Sequence, residues 1–289
     1  MTNILKYLSF TCLLSIISCK DAPPRTAVRT NNTLSVHKRM YSKKVADTFS
    51  IDISLPEGYK PDGKEEYPVV YLLDANLYFD IAAATYRKYA ETGMVKPVIV
   101  VGIGYKGLAE MDSLRCRDFT YPKALPEYEM AASGGADKFL SFLDKELLPY
   151  IDTQYKTDTN KRILMGHSLG GYFTTYALVN QVAQNNNLFA GFVAASPSLH
   201  YNNYYLRNGL EKSTSQKNGR NIKAYFTYGG LEDDESEPGL LKSSEEVALL
   251  RQFSANAGLV FKADVYSGLD HMDTPAPTFI KGLQWCQQG

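Results

Sequence analysis

Hydrophobic and polar positions along the chain change period several times, and each change predicts an element. The segments "SVHKRMYS" and "DTFSIDISLP" alternate apolar with polar residues, which predicts paired edge strands opening a sheet. "YPVVYLLDA" and "KPVIVVGIG" are unbroken apolar runs of strand length, the pattern of strands covered on both faces. Between them, "FDIAAATYRKYAE" predicts a short helix. "ADKFLSFLDKELLPYI" places Phe139, Leu140, Leu143, Leu147 and Tyr150 on one helical face. "RILMG" predicts a strand and "GGYFTTYALVNQ" a helix. Further strands follow in "FAGFVAAS", "IKAYFTYGG" and "LVFKADVYS", with helices in "SEEVALLRQFSANA" and "APTFIKGLQWCQ". Alternating strands and helices predict an α/β fold with a mostly parallel sheet and helices on both faces. No internal repeat and no second linker appear after about residue 34, so one domain spanning 34–289 is expected.

The amino terminus follows a different pattern. Lys6 precedes the apolar run "YLSFTCLLSII", which is too short to span a bilayer and suits the core of a signal peptide. "IISC" resembles the bacterial lipobox, with Cys19 as the residue that receives lipid and becomes the new first residue. Residues 1–18 are therefore expected to be a lipoprotein signal peptide. Residues 19–33, polar and proline-containing, are expected to be a tether, giving an exported protein held to the cell envelope by that anchor alone.

Composition narrows the chemistry. The chain has 289 residues with 44% hydrophobic content, and 31 Lys plus Arg balance 31 Asp plus Glu. No basic run exceeds a pair, so a nucleic-acid groove is not indicated. Four histidines and four cysteines, without C-x-x-C or H-E-x-x-H, argue against a dedicated metal site. Once Cys12 leaves with the signal and Cys19 carries lipid, Cys116 and Cys286 remain, and their pairing is open. "VIVVGIGYKG" matches the dinucleotide fingerprint at Gly102, Gly104 and Gly107. That fingerprint needs a helix opening at the glycines. The following "LAEMDSLRCRDFTYPKALP" has no clean amphipathic face, so no such helix is predicted and no cofactor is expected.

Gly166-His167-Ser168-Leu169-Gly170 is a G-x-S-x-G pattern at the junction of a predicted strand and helix, the context of a nucleophile elbow. A serine hydroxyl needs a base within hydrogen-bond reach. His271, in "YSGLDHMDTP" between the last strand and the last helix, is the candidate; His200 comes too early for an acid to precede it, and His167 reads as structural. The acid is expected after "IKAYFTY", where Glu232, Asp233 and Asp234 are all within reach. Oxyanion donors are expected at the backbone N–H of Leu169 and, from the loop after "VVYLLDANLYF", of Asn76.

Taken in order, "VVYLLDANLYF", "RCRDFTYP", "GHSLGGYF", "SPSLHY", "GGLE" and "GLDH" resemble the Putative esterase family of α/β-hydrolases over about residues 34 to 285. Within it the likeness is nearest to the siderophore esterases that open enterobactin-type triesters. The resemblance implies the α/β-hydrolase fold and a serine carboxylic-ester hydrolase acting on a small-molecule ester. It implies Ser168 as nucleophile, His271 as base and, from the "G-x-L-E" pattern, Glu232 as acid. Some siderophore esterases are thought to work with a serine–histidine pair alone. Arg117 and Asp118, with Arg115, are expected either to contact substrate or to pair with one another. Acyl transfer at the same site, a feruloyl or acetyl-xylan type esterase, and a non-catalytic binding lipoprotein are the competing readings.

Overall fold

Along strand β3 (Tyr67–Leu72) and into the next residue, side chains alternate between two cores. Val69, Tyr71 and Leu73 enter one, and Val70 and Leu72 the other. Both cores are apolar, which is why this strand reads as a continuous hydrophobic run rather than an alternating one. The computed structural model describes residues 35–212, 221–235 and 239–288. The chain divides into Met1–Thr33 and Leu34–Gly289. The signal peptide, Cys19 and the tether lie outside the described residues.

The sheet has eight strands in the order β1-β2-β4-β3-β5-β6-β7-β8. Strands β1 (Ser35–Ser42) and β2 (Asp47–Ser54) form the expected antiparallel hairpin, and β2 pairs antiparallel with β4 (Ile99–Gly104). From β4 through β3, β5 (Thr157–His167), β6 (Gly191–Ala195), β7 (Lys223–Gly229) and β8 (Val260–Tyr266) all pairings are parallel. One face is covered by helices α1 (Ala75–Glu91) and α10 (Pro275–Cys286), whose Phe79, Tyr86, Phe279 and Leu283 pack on Val100, Met165 and Val193. The other face carries α3 (Ala136–Phe142), α4 (Leu148–Gln154), α5 (Leu169–Gln184) and α9 (Ser243–Ala257). This is the α/β-hydrolase fold. The chain leaves β3 towards β4 on one side and then crosses to β5 on the other. That places a topological switch at the carboxyl ends of β3 and β5, where open α/β sheets hold their ligands.

Several boundaries differ from expectation. Helix α1 begins at Ala75, so Asn76 lies in its first turn and not in a loop. Between α3 and α4 the helix widens into a π-helical stretch, Leu143–Leu147, just before Pro149. Proline lacks an N–H and its ring crowds the preceding turn, and a wider turn absorbs that conflict. The added residue rotates the buried face onto Phe139, Phe142, Leu143, Leu147, Leu148 and Ile151, leaving Leu140 and Tyr150 only half-buried.

A helix also follows the glycine fingerprint, contrary to the prediction: α2 (Leu108–Phe119), capped at Gly107. The glycines nevertheless serve packing. A Cβ at Gly102 would lie 2.6 Å from the Phe79 ring, and one at Gly104 would lie 2.6 Å from Asn76 Oδ1. Both positions let α1 settle directly on β4, and that space is filled by α1 side chains.

Candidate active site

Ser168 sits between β5 and α5 with φ 58° and ψ −119°, outside the regions an L-residue ordinarily adopts. The turn closes because its flanks are bare. A Cβ at Gly166 would lie 2.3 Å from the Gly170 carbonyl oxygen, and one at Gly171 would lie 2.9 Å from Pro197 Cα. Backbone bonds hold the strained residue: its N–H donates to Ala195 O (3.0 Å), and its carbonyl accepts from Tyr172 N–H (2.8 Å) and Ser198 N–H (3.1 Å). Its hydroxyl projects to Ser198 Oγ at 3.3 Å.

His271 and Glu232 come together across two loops that are laced to one another. Gly230 N–H donates to Tyr266 O (2.8 Å) and Leu231 N–H to Leu269 O (3.1 Å). A Cβ at Gly229 would lie 2.4 Å from Leu269 O, so only glycine permits this approach. The result is a 2.9 Å hydrogen bond between His271 Nδ1 and Glu232 Oε2. Oε1 of Glu232 accepts from Ser196 Oγ (2.6 Å) and from Gly229 N–H. Partial burial works to raise the Glu232 pKa, but the hydrogen bonds from His271, Ser196 and Gly229 outweigh it, and the group lies below the usual glutamate value. Asp233 points elsewhere, accepting from Ser243 N–H (2.7 Å) and Ser243 Oγ (2.9 Å).

His167 connects the elbow to this pair. Its Nε2–H donates to the His271 carbonyl at 2.9 Å, and its Nδ1 accepts from the Tyr78 hydroxyl at 2.9 Å. The two imidazole rings lie 4.7 Å apart. Burial, helped by His271, pushes the His167 pKa down to about 4, so it is neutral at pH 7 and the stated tautomer is the one that satisfies both bonds. Thr274 Oγ1 reaches the same His271 carbonyl at 3.1 Å and Ser196 Oγ at 2.8 Å.

The amino ends of α1 and α5 converge beside the elbow. Asp74, fully buried and in the left-handed region at φ 52°, receives a two-pronged ion pair from Arg115 (3.0 and 2.8 Å). Arg115 also donates to the His167 carbonyl at 3.3 Å, and a Cβ at Gly170 would lie 3.1 Å from Asp74 Oδ2. This contact brings the first turn of α1, with Asn76, against the first turn of α5, with Leu169. First-turn N–H groups have no intrahelical acceptor, so both ends offer free donors. The Asn76 side chain is occupied, accepting from Tyr105 N–H (2.8 Å) and donating to Tyr105 O (3.0 Å).

Of the two roles expected for Arg117 and Asp118, the geometry shows the pairing with one another. Arg117 meets Asp118 through Nε (2.8 Å) and Nη2 (2.9 Å), and Asp47 through Nη1 (2.7 Å). Asp118 is buried and also accepts from the Tyr105 hydroxyl at 3.2 Å, which leaves it nothing to offer a ligand. Cys116 and Cys286 are both free thiols. Sequence reasoning did not assign Ser196, Ser198, Thr274 or Tyr78. The "S-P-S" stretch was the only signal for the first two, and Thr274 and Tyr78 act through tertiary contacts that leave no local pattern.

A cavity of about 210 Å³ opens beside the His271–Glu232 pair, with Ser196, Ser198, Tyr228 and Glu246 in its wall.

Comparison with known proteins gives concordant results. The chain is 33% identical over 225 residues to the ferri-bacillibactin esterase BesA of Bacillus subtilis, covering 72% of this chain and 75% of that protein. It is 31% identical over 176 residues to a siderophore enterobactin esterase of Emericella nidulans, spanning about half (55%) of that protein's length. Among solved structures, the BES protein from Bacillus cereus superposes with a TM-score of 0.73 at 28% identity, over 89% of this chain and 96% of that one. An IroE-like serine hydrolase from Shewanella oneidensis gives 0.72 at 28% identity, over 87% and 79%. The family model described as "Putative esterase" matches residues 42–285, and the chain belongs to that family of ester hydrolases.

Proposed function

We propose that the chain is a serine esterase that hydrolyses ester-linked siderophores. Ser168 Oγ attacks the ester carbonyl while His271 takes its proton, and Glu232 holds the imidazole by its Nδ1–H. The developing oxyanion rests on the N–H groups of Leu169 and Asn76. Collapse of the tetrahedral intermediate breaks the ester bond, and His271 passes its proton to the leaving alcohol. Water, deprotonated by His271, then releases the acid from Ser168. The single observation that carries this reading is the 2.9 Å Glu232–His271 hydrogen bond beside a serine held at positive φ. The siderophore assignment is supported by the printed activities of the Bacillus and Emericella relatives.

The test is a product-resolved assay on p-nitrophenyl acyl esters, feruloyl esters and a catecholate triester, with a fluorophosphonate probe alongside. The expected outcome is cleavage of the triester, labelling of the wild type, and no labelling of Ser168→Ala, with kcat lower by about 10⁶. Triester left intact while feruloyl esters turn over would overturn the substrate. Labelling of Ser168→Ala would move the nucleophile to another serine. Export and lipid attachment at Cys19 belong to the same proposal, resting on "IISC" and the polar stretch after it. Cys19→Ala is expected to move the protein from the membrane to the soluble fraction, and equal fractionation of both forms would refute the anchor.

A further inference from the structure

The mechanism above uses one of the two serine hydroxyls that meet at the elbow. The other belongs to Ser198, 7% exposed, whose Oγ lies 3.3 Å from Ser168 Oγ. Among the described residues, that contact is the only hydrogen bond the Ser198 hydroxyl makes. The "S-P-S" turn that carries it is fixed to its surroundings by backbone contacts. Ser198 N–H donates to Ser168 O (3.1 Å), Ser196 N–H donates to Thr227 O (2.8 Å), and Pro197 packs on the bare face of Gly171. Ser196 takes φ 40° to make this turn, a positive value that a serine seldom adopts. The hydroxyl of Ser196 is already engaged by Glu232 and Thr274. Ser198 is thus held beside the nucleophile, and it stands in the wall of the cavity that His271 also lines.

That position bears on the second half of the reaction. The base that protonates the leaving alcohol also deprotonates the incoming water, so the water must take the place the alcohol has left, between His271 and the acyl carbon. Ser198, beside Ser168 Oγ and in the same wall as His271, borders that place. Water has two O–H groups, and the base takes the proton of only one. The other O–H needs an acceptor, or a hydrogen bond is lost. A serine hydroxyl has two lone pairs and can accept it while keeping its own proton. An alcohol has a single O–H, which goes to the base, and carries carbon where water carries its second hydrogen. Ser198 therefore offers water a hydrogen bond that an alcohol cannot use.

We propose that Ser198 is a catalytic residue for deacylation: its Oγ accepts the second O–H of the attacking water and so favours hydrolysis over transfer of the acyl group to an alcohol. The proposal rests on the reading of Ser168 as the acylated residue and His271 as the base. In the step, the water oxygen bonds to the acyl carbon as one proton passes to His271, and the second O–H stays intact, hydrogen-bonded to Ser198. The bond between the acyl carbon and Ser168 Oγ then breaks, His271 returns its proton to Ser168 Oγ, and the free acid leaves. Ser198 neither gains nor loses a proton.

Competition between water and methanol tests this. Wild type, Ser198→Ala and Ser198→Thr turn over p-nitrophenyl butyrate in methanol–water mixtures, and the methyl ester and free acid are quantified together. Both products come from one acyl-enzyme, so their ratio does not depend on which step limits turnover. One net hydrogen bond is worth about 2- to 12-fold in rate. Ser198→Ala is expected to raise the ratio of methyl ester to acid by that factor at each methanol concentration. Ser198→Thr keeps a hydroxyl and is expected to hold the ratio near the wild-type value. A role in packing alone would slow both nucleophiles alike, so an unchanged ratio in Ser198→Ala overturns the proposal, as does an equal rise in Ser198→Thr. Ser198→Ala removes a single oxygen, and a thermal melt of each variant checks that the fold persists. Failure of the underlying reading appears separately: fluorophosphonate labelling of Ser168→Ala, or no methyl ester from either wild type or Ser198→Ala, removes the acyl-enzyme on Ser168 and the proposal with it.

Discussion

Among the described residues of its acidic run, Glu232 is the one whose carboxylate meets His271, and the reason lies in its neighbours. Ser196 Oγ and Gly229 N–H fix one oxygen, which leaves the other aimed at Nδ1. Asp233, one residue on, turns to Ser243 and serves the start of α9. Glu232→Gln keeps the shape but presents the imidazole with the wrong hydrogen-bonding partner. It is expected to lower kcat by up to about 10⁴ with the fold intact. Asp233→Asn is expected to change kcat by less than about tenfold, because it removes charge from a position that does not touch His271. Parallel assays of the two variants on a p-nitrophenyl ester decide this, and a reversed ranking would assign the acid to Asp233. The sequence narrowed this choice to three consecutive acids. Only the resemblance in "G-x-L-E" pointed to Glu232, because the partners that orient it, Ser196 and the glycine-closed turn at Gly229, meet it through tertiary contacts.

At the scale of elements, what the chain displayed locally was legible and what tertiary contacts supply was not. All eight strands, and the helices with a regular apolar face, follow from period and length. Helix α2 does not, since its buried residues are only Met111, Asp118 and Phe119. It is anchored largely by ion pairs, with Arg115 on Asp74 and Arg117 on Asp118 and Asp47, and such pairs carry no periodic signature. The same pairs tie both arginines to neighbouring elements. Ser168 and His271 were singled out as candidates from local features, an elbow and a post-strand loop. The His271 backbone is held by His167, itself bonded to Tyr78, and these residues meet only in the fold. Arg115 has the widest reach of these anchors, binding the turn before α1 and the end of β5 together. Arg115→Ala would strand the fully buried Asp74 without its partner, a change that costs about 3–5 kcal/mol in comparable buried pairs. The expected result is an unfolding free energy lowered by that amount, read from an earlier denaturant midpoint, with weaker fluorophosphonate labelling as the two helix ends lose register. An unchanged midpoint would mean that Asp74 is held by other contacts.

For the whole molecule, buried titratable groups shape stability against pH, and they act in opposite directions. His167 has a folded pKa of about 4, below its ordinary value of 6.5. Between those values the unfolded chain binds more protons, so its contribution is present above 6.5 and is lost as pH falls towards 4. Glu246 is the reverse: its folded pKa of about 8 lies above the ordinary 4.5, so the native state holds the extra proton. Its contribution is full below 4.5 and is lost as pH rises towards 8. Each window has a limiting slope of about 1.4 kcal/mol per pH unit. Where they overlap, between about 4.5 and 6.5, the slopes oppose and stability is expected to be nearly flat. Below that range the lowered pKa of Glu232 adds to the loss from His167, because the native carboxylate must be protonated. Above it the His167 slope ends while the Glu246 slope continues, and stability declines from about 6.5 to 8. Urea midpoints measured from pH 4 to 9 are expected to trace this plateau with a fall on either side. Glu246→Gln is expected to abolish the alkaline decline and, with its opposing slope gone, to extend the acid limb up to about pH 6.5. His167→Gln, which keeps a donor near the His271 carbonyl, is expected to make the acid limb shallower. An alkaline decline that survives in Glu246→Gln would show that another buried group controls it.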